Sequence, residues 1–135
     1  MPPSKAKPRK SPDLDKLLAL MESWPRSWRG SDDDIPIGEG LVSVMRPFIV
    51  HLCSLGLARK TVRNHLDNCW AIGGEIIRDV NMQSELRSLP PRKLILDAIA
   101  CGEAPVLYRA SEKVQRACDV TARKLLKFLA LNALR

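Results

Sequence analysis

Three cations, Arg59, Lys60 and Arg63, crowd the stretch "GLARKTVRNHL" (residues 56–66), where a glycine closes one apolar segment and a new helix begins. A helix start carries unpaired backbone N–H groups and the positive end of the helix dipole, so cations there raise the local potential unless an anion sits opposite. A phosphate meets that need, received by the three cations, the Thr61 hydroxyl and the exposed N–H groups. Asn64 and His65, one turn further on, extend the contact. The competing reading is a solvated helix start on a basic protein.

Other residue types offer further candidates for chemistry. The opening "MPPSKAKPRKSP" holds Lys5, Lys7, Arg9 and Lys10 among four prolines and no acid, which predicts a disordered basic arm over residues 1–12. Such an arm serves either as a solubilising tail or as a clamp that displaces counterions from nucleic-acid phosphates. Lys113, Arg116, Arg123, Lys124 and Lys127 form a ridge opposite an apolar stripe, the default of any surface helix and also compatible with phosphate contact. His51 and Cys53, or His65 and Cys69, are candidate metal pairs, but no Cys-x-x-Cys knuckle accompanies them, so no metal is expected. Asp32, Asp33 and Asp34 read as a solvated, mutually repelling turn. Trp24, Trp28 and Trp70 fit structural roles better than base stacking. No Gly-rich phosphate loop, Gly-x-Ser-x-Gly elbow or His-Glu-x-x-His motif occurs, so neither an enzyme nor a cofactor nor a small-molecule substrate is expected.

The totals agree with a polyanion partner. The chain has 135 residues with 22 Lys and Arg against 15 Asp and Glu, a net charge of +7, which favours nucleic acid or anionic surfaces. Hydrophobic residues make up 45%, enough for one core, here assigned to a single helical domain over residues 13–135. No stretch approaches the roughly 20 uninterrupted apolar residues of a membrane span, and no signal peptide opens the chain, so no membrane partner is expected and the protein is assigned to the cytoplasm. Cys53, Cys69, Cys101 and Cys118 each stand in apolar helical context and read as buried reduced thiols.

The elements that must position these residues are helical throughout. Asp13–Ser23 has Leu14, Leu17, Leu18 and Met21 at helical spacing; residues 24–40, with two prolines and three glycines, read as an irregular connection. Leu41–Leu55 is the candidate central core helix, kinked or restarted at Pro47 and closed by Gly56. Thr61–Asp79 follows, with Val62, Leu66, Cys69, Gly73, Ile76 and Val80 on one face; Gly73 and Gly74 suggest a close crossing or bend. A short turn near Gln83–Leu89, a helix started by Pro91 and a last helix capped by Ser111 complete the pattern. Val114, Ala117, Cys118, Thr121, Leu125, Phe128 and Leu129 share its core stripe. No alternating β pattern appears, and the class is all-α.

The run "LVSVMRPFIVHLCSLGLARKTVRNHLDNCWAIGGEII" resembles the N-terminal core-binding domain of tyrosine recombinases, the phage integrase family. Gly56, Leu57, Lys60, Thr61 and Val62 fall where that family writes G-L-S-x-x-T-[VI]; Ala58 stands in place of its serine, removing a side-chain N-cap. The resemblance implies an orthogonal, SAM-like bundle of about five helices whose helix pair clamps duplex DNA. The recombinase chemistry of that family needs a His-x-x-Arg element and a tyrosine nucleophile in a further domain. This chain has no His-x-x-Arg, and its one tyrosine, Tyr108, lies in a connector.

The expectation is therefore a non-enzymatic module contacting duplex DNA through Arg59, Lys60, Thr61, Arg63, Asn64 and His65, helped by the basic arm. The alternative is a helical regulatory module that forms a homodimer or docks a partner protein, suggested by Leu126 and Leu131 off the core stripe.

Overall fold

The computed structural model describes residues 11–132, so Lys5, Lys7, Arg9 and Lys10 lie outside the described residues. Among the described residues there are six α-helices and no strand: α1 Leu14–Glu22, α2 Trp24–Trp28, α3 Ile35–Cys53, α4 Arg59–Met82, α5 Pro91–Ala98 and α6 Glu112–Asn132. Short 3-10 turns occupy Asp32–Asp34 and Ser84–Ser88. The all-α class holds, with one helix more than the about five expected.

The extra helix comes from the segment read as an irregular connection, and that reading is corrected. Pro25 and Pro36 sit in the first turns of α2 and α3, where a missing N–H leaves no helical bond unmade. Gly38 lies inside α3 against the Pro25 backbone, so its absent side chain serves a helix crossing, not a turn. Pro47 neither breaks nor restarts α3, which runs unbroken through it. Pro47 is exposed, as is Ser43 one turn earlier, whose carbonyl loses its helical donor on the side open to water.

α3 contacts each of the other five helices, as the central position assigned to it requires. Leu41, Met45, Phe48 and Ile49 are fully buried on its inner face, and each such side chain contributes roughly 1.5–3 kcal/mol of burial. By length and composition Asp32–Cys53 is apolar enough to cross a membrane, yet its apolar face is used against its neighbours, as in the core helix of a bundle.

α1 is started by Asp13, whose carboxylate accepts the Lys16 N–H at 3.2 Å. α6 is started by Ser111, whose hydroxyl accepts from Val114 N–H at 3.2 Å, as the sequence predicts. Its far end is held by Arg92, which donates to the Leu129 carbonyl at 2.8 Å. Cys118, Thr121, Leu125 and Leu129 are buried, whereas Val114 and Ala117, expected on the same stripe, are exposed; at the start of α6 it is Gln115 that turns inward, half-buried and bonded to Leu107 N–H at 2.9 Å and the Pro105 carbonyl at 3.0 Å.

Two further corrections concern polar side chains. Asp34 is not solvated: it is completely buried and accepts hydrogen bonds from Gly30 N–H at 2.7 Å, Ser31 N–H at 3.2 Å, Asn81 Nδ2 at 2.9 Å and Arg87 Nη2 at 2.8 Å. The 3-10 turn directs this third aspartate inward while Asp32 and Asp33 stay outside. Of the cysteines, Cys69 and Cys118 are buried and Cys53 half-buried, but Cys101 is exposed in the turn after α5. Burial pushes the Cys118 thiol up to about 12, with the nearby Asp119 adding to the effect, and raises Cys69 as well.

Candidate nucleic-acid interface

Gly56 adopts a left-handed φ of +75°, which lets the chain reverse between α3 and α4. Ala58 then takes extended geometry as the N-cap of α4 and offers no side-chain acceptor. The first helical bond runs from Val62 N–H to the Ala58 carbonyl at 3.1 Å, so the N–H groups of the first turn precede the ladder and face outward from the helix end. Arg59, Lys60 and Thr61 occupy that turn and are exposed.

α1 lies beside this end and the two helices enclose a groove of about 750 Å³. Its apolar wall comes from Leu17 and Leu20, its cations from Lys16, Arg59, Lys60 and Arg63, and among the described residues Asp13 is its one acid. Arg59 Nε donates to the Ser11 carbonyl at 3.4 Å, a long bond that places the attachment point of the basic arm at the same groove. Arg63 Nε donates to Asp67 Oδ1 at 3.0 Å with both side chains more than half exposed. A pair that open to water is worth no more than about 1 kcal/mol, so a phosphate can compete for the guanidinium.

On its other flank α4 is covered by α6, which runs antiparallel to it: His65 and Asn68 of α4 meet Thr121 and Ala117 of α6. This packing removes His65 from the proposed contact set. Its Nδ1 lies 2.7 Å from Thr121 Oγ1, which also accepts from Asn68 Nδ2 at 2.9 Å, and the ring is buried. Burial, then the positive charge of Lys124, lowers the pKa of His65. The sign of this pairing was present in the sequence as a threonine inside an apolar stripe, since a buried hydroxyl needs a partner.

Thr61 and Asn64 remain exposed beside Lys60. Of the α6 ridge, Lys124, close enough to act on His65, and Lys127 line a second groove beside Leu57, just before the start of α4. Cations from three helices thus surround the start of α4. Lys16 was not among the residues singled out from the sequence; only the packing of α1 on α4 brings it there.

Among the described residues no group of three or more His, Cys, Asp or Glu side chains is placed to hold a metal ion. Trp24 and Trp28 are buried; Trp70 is exposed, with its indole N–H donated to Ser27 Oγ at 3.0 Å. Comparison with family models, with curated proteins and with solved structures finds no match. The fold and site define an all-α protein with a basic groove at a helix start.

Proposed function

We propose that the protein is a non-enzymatic DNA-binding module that grips the backbone of duplex DNA at the start of α4, in the manner that its likeness to integrase core-binding domains implies. One observation carries the reading: Lys16, Arg59, Lys60 and Arg63 surround a single groove at a helix start whose N-cap has no side-chain acceptor. Phosphate is the anion that this combination of cations and outward N–H groups suits. Thr61 and Asn64 extend the contact, and the arm bearing Lys5, Lys7, Arg9 and Lys10 joins it through Ser11. Such contacts fix position on the duplex and carry little sequence information. The reading belongs with a cytoplasmic location and reduced thiols.

The test is duplex binding by fluorescence anisotropy across a salt series. The Arg59→Ala/Lys60→Ala/Arg63→Ala variant is expected to lose affinity by roughly 10- to 100-fold near 0.1 M salt and to lower the salt slope by about 2 to 3. Binding undiminished in that variant removes the proposed interface.

A second reading, a homodimer or a docked partner protein, is favoured by Leu55 and Leu131, which remain 53% and 63% exposed at the groove formed with Phe128. Light scattering decides it: a concentration-dependent dimer combined with no DNA binding supports this alternative.

A further inference from the structure

Away from the start of α4, two arginines share one exposed ring. The guanidinium carbon of Arg78 lies 4.3 Å from the Tyr108 ring centroid and that of Arg109 lies 5.2 Å from it. Tyr108 keeps 61% of its surface exposed, in the segment between α5 and α6. Among the described residues neither arginine is in an ion pair; Glu75, the acid beside them, accepts the Tyr108 backbone N–H at 3.1 Å. Arg109 is also the one described non-glycine residue with positive φ, 57°, a left-handed conformation that a side chain disfavours.

A guanidinium stacked on a ring is held by its face, which leaves its in-plane N–H donors available to an anion. Because both guanidinium groups already rest against Tyr108, an incoming anion meets them brought together. The position along α4 gives the pair its meaning. Arg78 follows Lys60 by five helical turns, so the two share one face of α4, about 27 Å apart. That distance matches about eight base-pair steps of duplex DNA at roughly 3.4 Å each.

We propose that Arg78 and Arg109, seated on Tyr108, form a second anchor for the phosphate backbone of duplex DNA, separate from the groove at the start of α4. This rests on the DNA-binding reading above and extends it, because it assigns a minimum duplex length over which both anchors engage. Phosphate is preferred to a stacked base as the ligand, since the ring is already occupied by the two guanidinium groups.

The test uses two labelled DNAs, a duplex of roughly 20 base pairs and a hairpin whose stem of about four base pairs, near 14 Å long, is too short to reach both anchors. Binding across a salt series is measured for the wild type, Arg78→Gln/Arg109→Gln and Arg78→Lys/Arg109→Lys, with thermal melts of each. The glutamine variant is expected to lower the salt slope on the long duplex by about 2 and its affinity roughly 10-fold near 0.1 M salt, and to leave the hairpin unaffected. The lysine variant should keep most of the slope, since a point charge still contacts phosphate. A glutamine variant with a lower melting temperature but a wild-type slope reduces the cluster to a loop fastening and overturns the proposal. Equal losses on both DNAs also overturn it, by tracing the effect to the first groove. If the wild type binds neither DNA, the DNA-binding reading falls and this proposal falls with it; an unchanged slope while Arg59→Ala/Lys60→Ala/Arg63→Ala weakens binding sinks the second anchor alone.

Discussion

The indole of Trp28 occupies the space that a side chain on Gly73 would need, and its Nε1–H is donated to the Trp70 carbonyl at 2.9 Å. α2 and α4 are thereby fastened ring against bare backbone. A Cβ at Gly73 would collide with the six-membered part of the indole, whereas a Cβ at Gly74 would meet it at 3.4 Å, an ordinary contact. Gly73→Ala is expected to destabilise the fold by about 1–3 kcal/mol, and Gly74→Ala to be neutral or to stabilise by up to about 1 kcal/mol. Denaturant melts of the two variants check this, and equal effects would show that the crossing is not the reason for the first glycine.

Asp34 predicts a loss of stability in acid. Burial by itself would raise its pKa, but hydrogen bonds from Asn81, Gly30, Arg87 and Ser31 outweigh it and hold the group at about 2. A carboxyl whose folded pKa lies below its unfolded value near 3.9 contributes stability that is present above that value and is lost as pH falls towards 2. The loss should reach about 2 kcal/mol over that window, and Asp34→Asn should flatten it while lowering stability at neutral pH. Urea titrations between pH 2 and 6 measure both.

His65 acts in a higher window. Its folded pKa is lowered, by burial first and by Lys124 second, so the unfolded chain takes up a proton more readily than the folded one as pH drops below about 6.5. Stability from this source is present above the unfolded pKa and is lost as pH falls through the folded one. Lys124→Gln should move the imidazole titration upward, towards the ordinary histidine value, by NMR; an unchanged titration would place Lys124 out of reach of the ring.

Asp67 competes with DNA for Arg63, under the proposed function. Removing its carboxylate frees a guanidinium now held at 3.0 Å and takes one negative charge from the face expected to meet phosphate. Asp67→Asn should tighten duplex binding by roughly 2- to 10-fold at low salt, an effect that fades as salt rises. Weaker binding in this variant would mean that Asp67 orients Arg63 for the contact.

The legible parts of the fold are those governed by nearest turns. The apolar periodicity of residues 41–55 and 61–79 marked two of the long core helices, α3 and α4, because side chains three and four apart share a face wherever the helix ends up. Residues 24–40 were misread for a related reason. Proline and glycine punctuate loops by local preference, yet Pro25 and Pro36 open helices and Gly38 admits a neighbour, a role that exists only once α2 and α3 have met. Arg59, Lys60, Thr61, Arg63 and Asn64 were correctly read as sharing the exposed start of one helix, since they lie within two turns of chain.

By itself, then, the sequence determined that the chain is helical, where its main apolar stripes run and that its cations crowd one helix start, since each of these depends on spacing within a few residues. Only the tertiary structure decided that Lys16 and Lys124 join that start, that α6 takes His65 out of solvent and that Tyr108 meets Arg78. Those relationships join residues far apart in the chain, and they arise from the way α1 and α6 pack on either flank of α4, which no local periodicity encodes.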